Sequence, residues 1–216
     1  MSRLALRGTE ALTLEVELTC AVEAAQRLLP AALAPVVDAE GRARASLLLF
    51  AMEGMRVVGL AGPRLAYREA LWRLRVRRDV EEAWFAAACD LDQPLVRAVG
   101  ASLTRYPVRR ARCDFEDGGA PRFSVVATGE ALELVARPGT ARLEAVPPLP
   151  VFTAAGGALF RIPWRETPGP ERVEAEVEVR AESLATATLG AVQWATRGVL
   201  MRGRTHHCGA ATRLGG

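Results

Sequence analysis

The sequence predicts a mainly β protein of the α+β kind, its strands mostly antiparallel, closed into a barrel or stacked as a sandwich. Two observations carry this. Residues 12–19 and 171–180 alternate strictly between apolar and polar, the period of a strand with one buried and one wet face. Short strand-like runs also recur between turn residues at hairpin spacing, with few helical stretches between them.

Taken in order, Leu12, Leu14, Val16 and Leu18 give the first strand its apolar face. A short helix follows over 21–29, with a stripe of Val22, Ala25, Leu28 and Leu29, and Pro30 stops it. The continuous apolar run 45–52 reads as a fully buried strand after the Glu40-Gly41 turn. Residues 65–76 read as a long strand and 83–91 as another. In the Arg73–Arg78 run, Arg73, Arg75 and Arg77 alternate with Leu74 and Val76, the mark of a solvent-facing strand side. A helix is expected from Pro94 to Ser102 with Asp92 as its N-cap. Residues 109–115 form a strand, and 122–128 with 131–135 a hairpin about Gly129-Glu130. The Pro- and Gly-rich stretch 147–170 is a long connection, with room for a strand or for a cover over a cavity. In 171–180, Val173, Ala175, Val177 and Val179 face inward. Residues 183–201 fit a helix only roughly, because Gly190 and Gly198 interrupt it. Residues 203–216 read as a loose tail. With no repeat and no linker, 216 residues make one domain, best supported over 10–137.

Composition narrows the chemistry. All 28 basic residues are arginine, and none of the 216 is lysine. Schiff-base formation with a carbonyl substrate or pyridoxal phosphate is excluded, as are a P-loop and a kinase-type lysine. The net charge is only +3, and no nucleic-acid motif appears. No apolar run reaches 18 residues, so no membrane helix is expected, and the N-terminus lacks the apolar core of a secretory leader. Cys20, Cys89, Cys113 and Cys208 are widely spaced, which suits reduced thiols in a cytoplasm. Cys208 with His206 and His207 could offer zinc ligands, but adjacent histidines match the usual spacing poorly, so no metal and no cofactor is expected. Neither a Ser–His–Asp set nor a dinucleotide fingerprint is present.

Three segments in order carry a family likeness: Leu28-Leu29-Pro30 followed by the run holding Ala51-Met52, then Ala66-Tyr67-Arg68-Glu69-Ala70, then Ala98-Val99-Gly100 through Tyr106-Pro107. Together they resemble the acetoacetate decarboxylase-like family. The resemblance implies a β-barrel or cone with a central cavity and a few short helices. It also implies a pair of lysines after the Tyr-Pro, the first forming a Schiff base. Here those positions are Val108 and Arg109. The nucleophile is replaced by an alkyl group, and its neighbour by a guanidinium that is neither base nor nucleophile at neutral pH. Other family positions are also altered: a second acid aligns with Leu48, an arginine near Ala11 is missing, and Ala101 replaces the junction arginine, with Arg105 four residues on.

The resemblance leaves Glu69 as a candidate acid or base, and Arg109, Tyr106 and Tyr67 as candidate ligand-binding residues. Alternation puts Tyr67 and Glu69 on one strand face, and separates Arg109 from Arg110 and Arg112. Three of the four have a structural alternative: Glu69 bonded to a nearby arginine, Arg109 solvated, Tyr106 packing at the junction. The expected partner is a small organic acid or apolar metabolite, with a homo-oligomer possible. The function expected is binding without classical decarboxylation. The alternatives are an enzyme of altered chemistry using Glu69, or a structural protein with a filled barrel.

Overall fold

The computed structural model describes residues 5–59 and 61–215. Its elements run β1 (Ala5–Cys20), α1 (Val22–Leu28), β2 (Ala34–Pro35), β3 (Ala43–Val57), β4 (Leu65–Arg78), β5 (Glu81–Leu91), α2 (Pro94–Thr104), β6 (Val108–Glu116), β7 (Arg122–Ala127) and β8 (Glu130–Arg142). The second half contains β9 (Val151–Ala155), β10 (Ala158–Ile162), β11 (Trp164–Thr167), β12 (Glu171–Ala181), α3 (Ser183–Leu189), β13 (Val192–Arg202), β14 (Arg204–Gly209) and β15 (Thr212–Arg213).

The chain is mainly β, and the strand pairing closes on itself. From β5 it runs through β6, β7, β8, β12, β13, β1, β3 and β4, and β4 pairs back with β5. Inside the ring sits an apolar core that includes Leu14, Leu47, Trp72, Phe85, Phe123 and Leu132. These are the apolar phases of the alternating strands, and each large side chain so buried contributes about 1.5–3 kcal/mol. Helix α3 adds Leu184 and Leu189 to the same core. Pairing is antiparallel except for β5 with β6 and with β9. A helix lies between β5 and β6 and returns the chain in the same direction, as a parallel pair requires.

The outer faces of β3, β4 and β5 are not wet. They carry Leu48, Phe50, Tyr67, Leu71 and Cys89, which form a second core with Val96 of α2, Tyr106, Val151, Ile162 and Cys208. The covering layer comes from the 147–170 connection, which holds three strands, and from the C-terminal segment. Of the segment 203–216 expected as a loose tail, the described residues 203–215 are not loose: β14 pairs with both β1 and β11. Its buried side chains, Arg204, His206 and Cys208, are mostly polar, so the segment lacks an apolar signature. The same layer covers Arg73, which is buried rather than solvent-facing; it bonds Glu15 and Ser46 and lies over the Trp84 ring.

Smaller boundaries also move. The N-cap of α2 is Gln93, whose side-chain oxygen accepts from the amides of Leu95 and Val96. Asp92 instead accepts from the Arg68 amide across the sheet. The β7–β8 hairpin turns at Thr128-Gly129, both at positive φ, so Glu130 already pairs with Ala127. Positive φ at both central residues is the two-residue turn that matches strand twist. Residues 183–201 split into α3 and β13 at Gly190. Gly198 lies where β13 approaches β1 so closely that a Cβ would sit 2.7 Å from the Glu15 carbonyl oxygen.

Candidate functional site

A cavity of about 40 Å³ lies outside the ring, between the outer face of β3, β4 and β5 and its cover of α2, β11 and β14. Tyr67, Glu69, Tyr106 and Val108 all line it, so four of the five residues singled out in the sequence meet at one place. Strand period explains the grouping. Tyr67 and Glu69 share one face of β4, and Cys89 and Val108 stand opposite each other in the β5–β6 pair.

Arg109 does not join them. It lies on the other face of β6, the face that carries Ala111, Cys113 and Phe115 into the ring. There its Nε and Nη2 donate to the two Asp90 oxygens at 2.7 and 2.6 Å, and Nη2 also donates to Thr188 Oγ1 at 3.0 Å. Asp90 is fully buried and also accepts from Trp72 Nε1 at 2.8 Å. The guanidinium is thus held by a carboxylate of its own chain, in the fork geometry that suits such pairs.

Glu69 is in the opposite condition. It is buried, and burial pushes its carboxyl up to about 8 despite a hydrogen bond from the Cys89 thiol. Glu10, Asp90 and Asp92 add negative charge nearby and push the same way. At neutral pH the group is a neutral acid, able to donate its O–H. Burial likewise raises the Tyr67, Tyr106 and Cys89 hydrogens well above their usual range, so all three stay protonated donors. The Tyr106 hydroxyl is buried and has no hydrogen-bond partner among the described residues. An unpaired buried hydroxyl costs about 1–3 kcal/mol, which makes it a feature to explain.

The cavity also holds His206, which the sequence reading left in a tail. Its Nδ1 lies 3.0 Å from Glu10 Oε1, and its ring stands edge-on to Trp164, the centroids 3.9 Å apart. Burial alone would raise the Glu10 carboxyl. Arg204 and His206, with the Thr13 hydroxyl, outweigh burial and hold it at about 2. An ionised carboxylate only accepts, so the Nδ1 of His206 carries a proton. Arg204 donates from Nε and Nη2 to Glu10 and from Nη1 to Glu166, which in turn accepts from Trp164 Nε1. One sign of this network was present in the sequence: Glu10 continues the apolar phase of Leu12 and Leu14, an odd place for a charge. His207 points to the opposite side of β14 from His206 and Cys208, so the three cannot share a metal. Among the described residues, no cluster of metal-ligating side chains is present.

No protein-family model matches the sequence, and no curated protein matches it. Solved structures do. An acetoacetate decarboxylase-like enzyme from Sphingomonas wittichii RW1 superposes with a TM-score of 0.73 at 17% identity, covering 100% of this chain and 94% of the other. Acetoacetate decarboxylase from Legionella pneumophila gives a TM-score of 0.77 at 12% identity, over 100% and 90% of the two chains. The enduracididine biosynthesis enzyme MppR, solved in complex with pyruvate, gives 0.73 at 12% identity, over 99% and 91%.

Proposed function

We propose that this chain, which has the acetoacetate decarboxylase-like fold, binds a small carbonyl compound, such as a short organic acid, in the Glu69 cavity without forming a Schiff base. The observation that carries this reading is the unpartnered Tyr106 hydroxyl beside a carboxyl held neutral by burial. Two donors facing one small space match the lone pairs of a carbonyl oxygen. Val108 stands where an amine would be needed, so the ligand is polarised but not attacked. Arg109 contributes by holding Asp90 and the β5–β6 register.

Titration calorimetry with pyruvate, acetoacetate and simple methyl ketones near neutral pH tests the reading. Tyr106→Phe should weaken binding about tenfold, the worth of one hydrogen bond. Glu69→Gln keeps a donor, so it should bind but lose the weakening of affinity that wild type shows as pH rises past about 8. No heat from any carbonyl compound would sink the proposal.

A second reading is an enzyme of altered chemistry, such as enolisation or hydration. What favours it is His206 on the same cavity, its Nδ1 fixed by Glu10 behind it and its Nε2 free of that bond. Loss of turnover in both Glu69→Gln and His206→Gln, with binding retained, supports it over binding alone. A third reading, a structural or assembly role, is favoured by size: the ring is filled, and 40 Å³ holds only a few waters.

A further inference from the structure

We infer that the Glu69 cavity is the head of a longer site, and that its ligand is a carbonyl compound bearing an unbranched aliphatic chain. This rests on the reading of Glu69 and Tyr106 as carbonyl donors. A second pocket of about 170 Å³ abuts the cavity, between α2 and the end of the β3–β4 hairpin. Leu6, Met55, Val96 and Gly100 line both spaces, so one layer of side chains separates them.

The two spaces differ in chemistry. The titratable groups face the smaller one. The larger is walled by residues such as Val57, Leu65, Leu95 and Val99, with the exposed Arg56 as its one charged residue among the described ones. An apolar chain entering it leaves water for an apolar wall, worth about 0.8 kcal/mol per buried methylene. The head alone gives little area for binding, which is why the small cavity needs the larger one.

Gly100 is the smallest residue in the wall that the two spaces share. It lies one helical turn after Val96 on the same face of α2, and a Cβ built on it meets nothing within 4 Å. A glycine inside a helix costs stability relative to other residues, so its presence there leaves room that a side chain would occupy. Met55, unbranched and flexible, is the movable part of the wall.

The test compares methyl ketones with methyl, propyl, pentyl and heptyl chains by calorimetry, on wild type, Gly100→Leu and Tyr106→Phe. Gly100→Leu fills open space in a helix, so it should fold with an unchanged or raised Tm. The inference predicts that wild-type affinity rises about threefold or more per added methylene until the pocket is full. It predicts that Gly100→Leu flattens this rise, so that the longer ketones lose their advantage over the shortest one, and that Tyr106→Phe weakens every ketone by the same factor. A flat series in wild type, with the shortest ketone still dependent on Tyr106, overturns the chain site and leaves the carbonyl reading standing. A rise that Gly100→Leu does not alter puts the chain elsewhere and also overturns it. No binding of any ketone overturns both.

Discussion

Glu69 lines the small cavity and Glu10 lies behind His206, which also lines it; both are buried carboxyl groups, yet their acidities sit at about 8 and about 2. Both lose water. The difference is what the fold supplies in exchange. Glu10 receives two donors from Arg204, one from His206 and one from Thr13. Glu69 receives a thiol and the field of three other acids. On the β1–β14 side Glu10, Arg204 and Glu166 each have a hydrogen-bonded partner of opposite charge. On the β4–β5 side a neutral acid and an unpartnered hydroxyl face a space. The paired side stabilises the fold, and the unpaired side is where a ligand gains most.

This contrast can be tested through stability. The largest expected effect is alkaline. Glu69 has its folded pKa raised from 4.5 to about 8, so its stabilising contribution is complete below 4.5 and is lost as pH rises through 8. The gap, at about 1.4 kcal/mol per pH unit, sets a loss of at most about 5 kcal/mol. Urea midpoints of wild type against Glu69→Gln should converge on the acid side, diverge in favour of the variant as pH rises from 4.5 to 8, and stay apart by that amount above it. Next is Arg204→Met, which strands Glu10: about 3–5 kcal/mol lost at neutral pH by chemical denaturation. Because Glu10 is depressed to about 2, wild type should in addition lose stability as pH falls from 4.5 toward 2, the reverse slope. An Arg204→Met protein as stable as wild type would contradict the pairing.

Arg109→Ala should cost about 2–3 kcal/mol, less than Arg204 because its guanidinium is partly solvated while Asp90 is not. Its thermal midpoint should fall, and ketone affinity should barely move, since Arg109 lies across the sheet from the cavity. The smallest effect is Tyr106→Phe. Removing a hydroxyl without a partner should leave the unliganded protein within about 1 kcal/mol of wild type, or slightly more stable.

The strands with apolar phases were legible in the sequence: 12–19 inside β1 and 171–180 as most of β12. Alternation also paired Tyr67 with Glu69 and set Arg109 apart from Arg110 and Arg112. What alternation cannot say is which face meets a cavity. That depends on the covering layer, built from a Pro-rich connection and a polar C-terminal segment, neither of which has an apolar period. Arg204 and His206 face inward because Glu10 waits for them, and Arg204 lies 194 residues away in sequence. A buried charge with a distant partner reads as a surface charge until the partner is placed. The lysine-free junction was legible outright, and Val108 lines the small cavity together with Glu69 and Tyr106.

The account turns on Glu69 being a neutral acid at physiological pH. Infrared difference spectra of wild type minus Glu69→Gln, recorded across a pH titration, observe that proton directly. The account predicts a protonated-carboxyl carbonyl stretch at pH 7 that disappears with a midpoint near 8. Its absence at pH 7, or its loss near 4.5, would contradict the account.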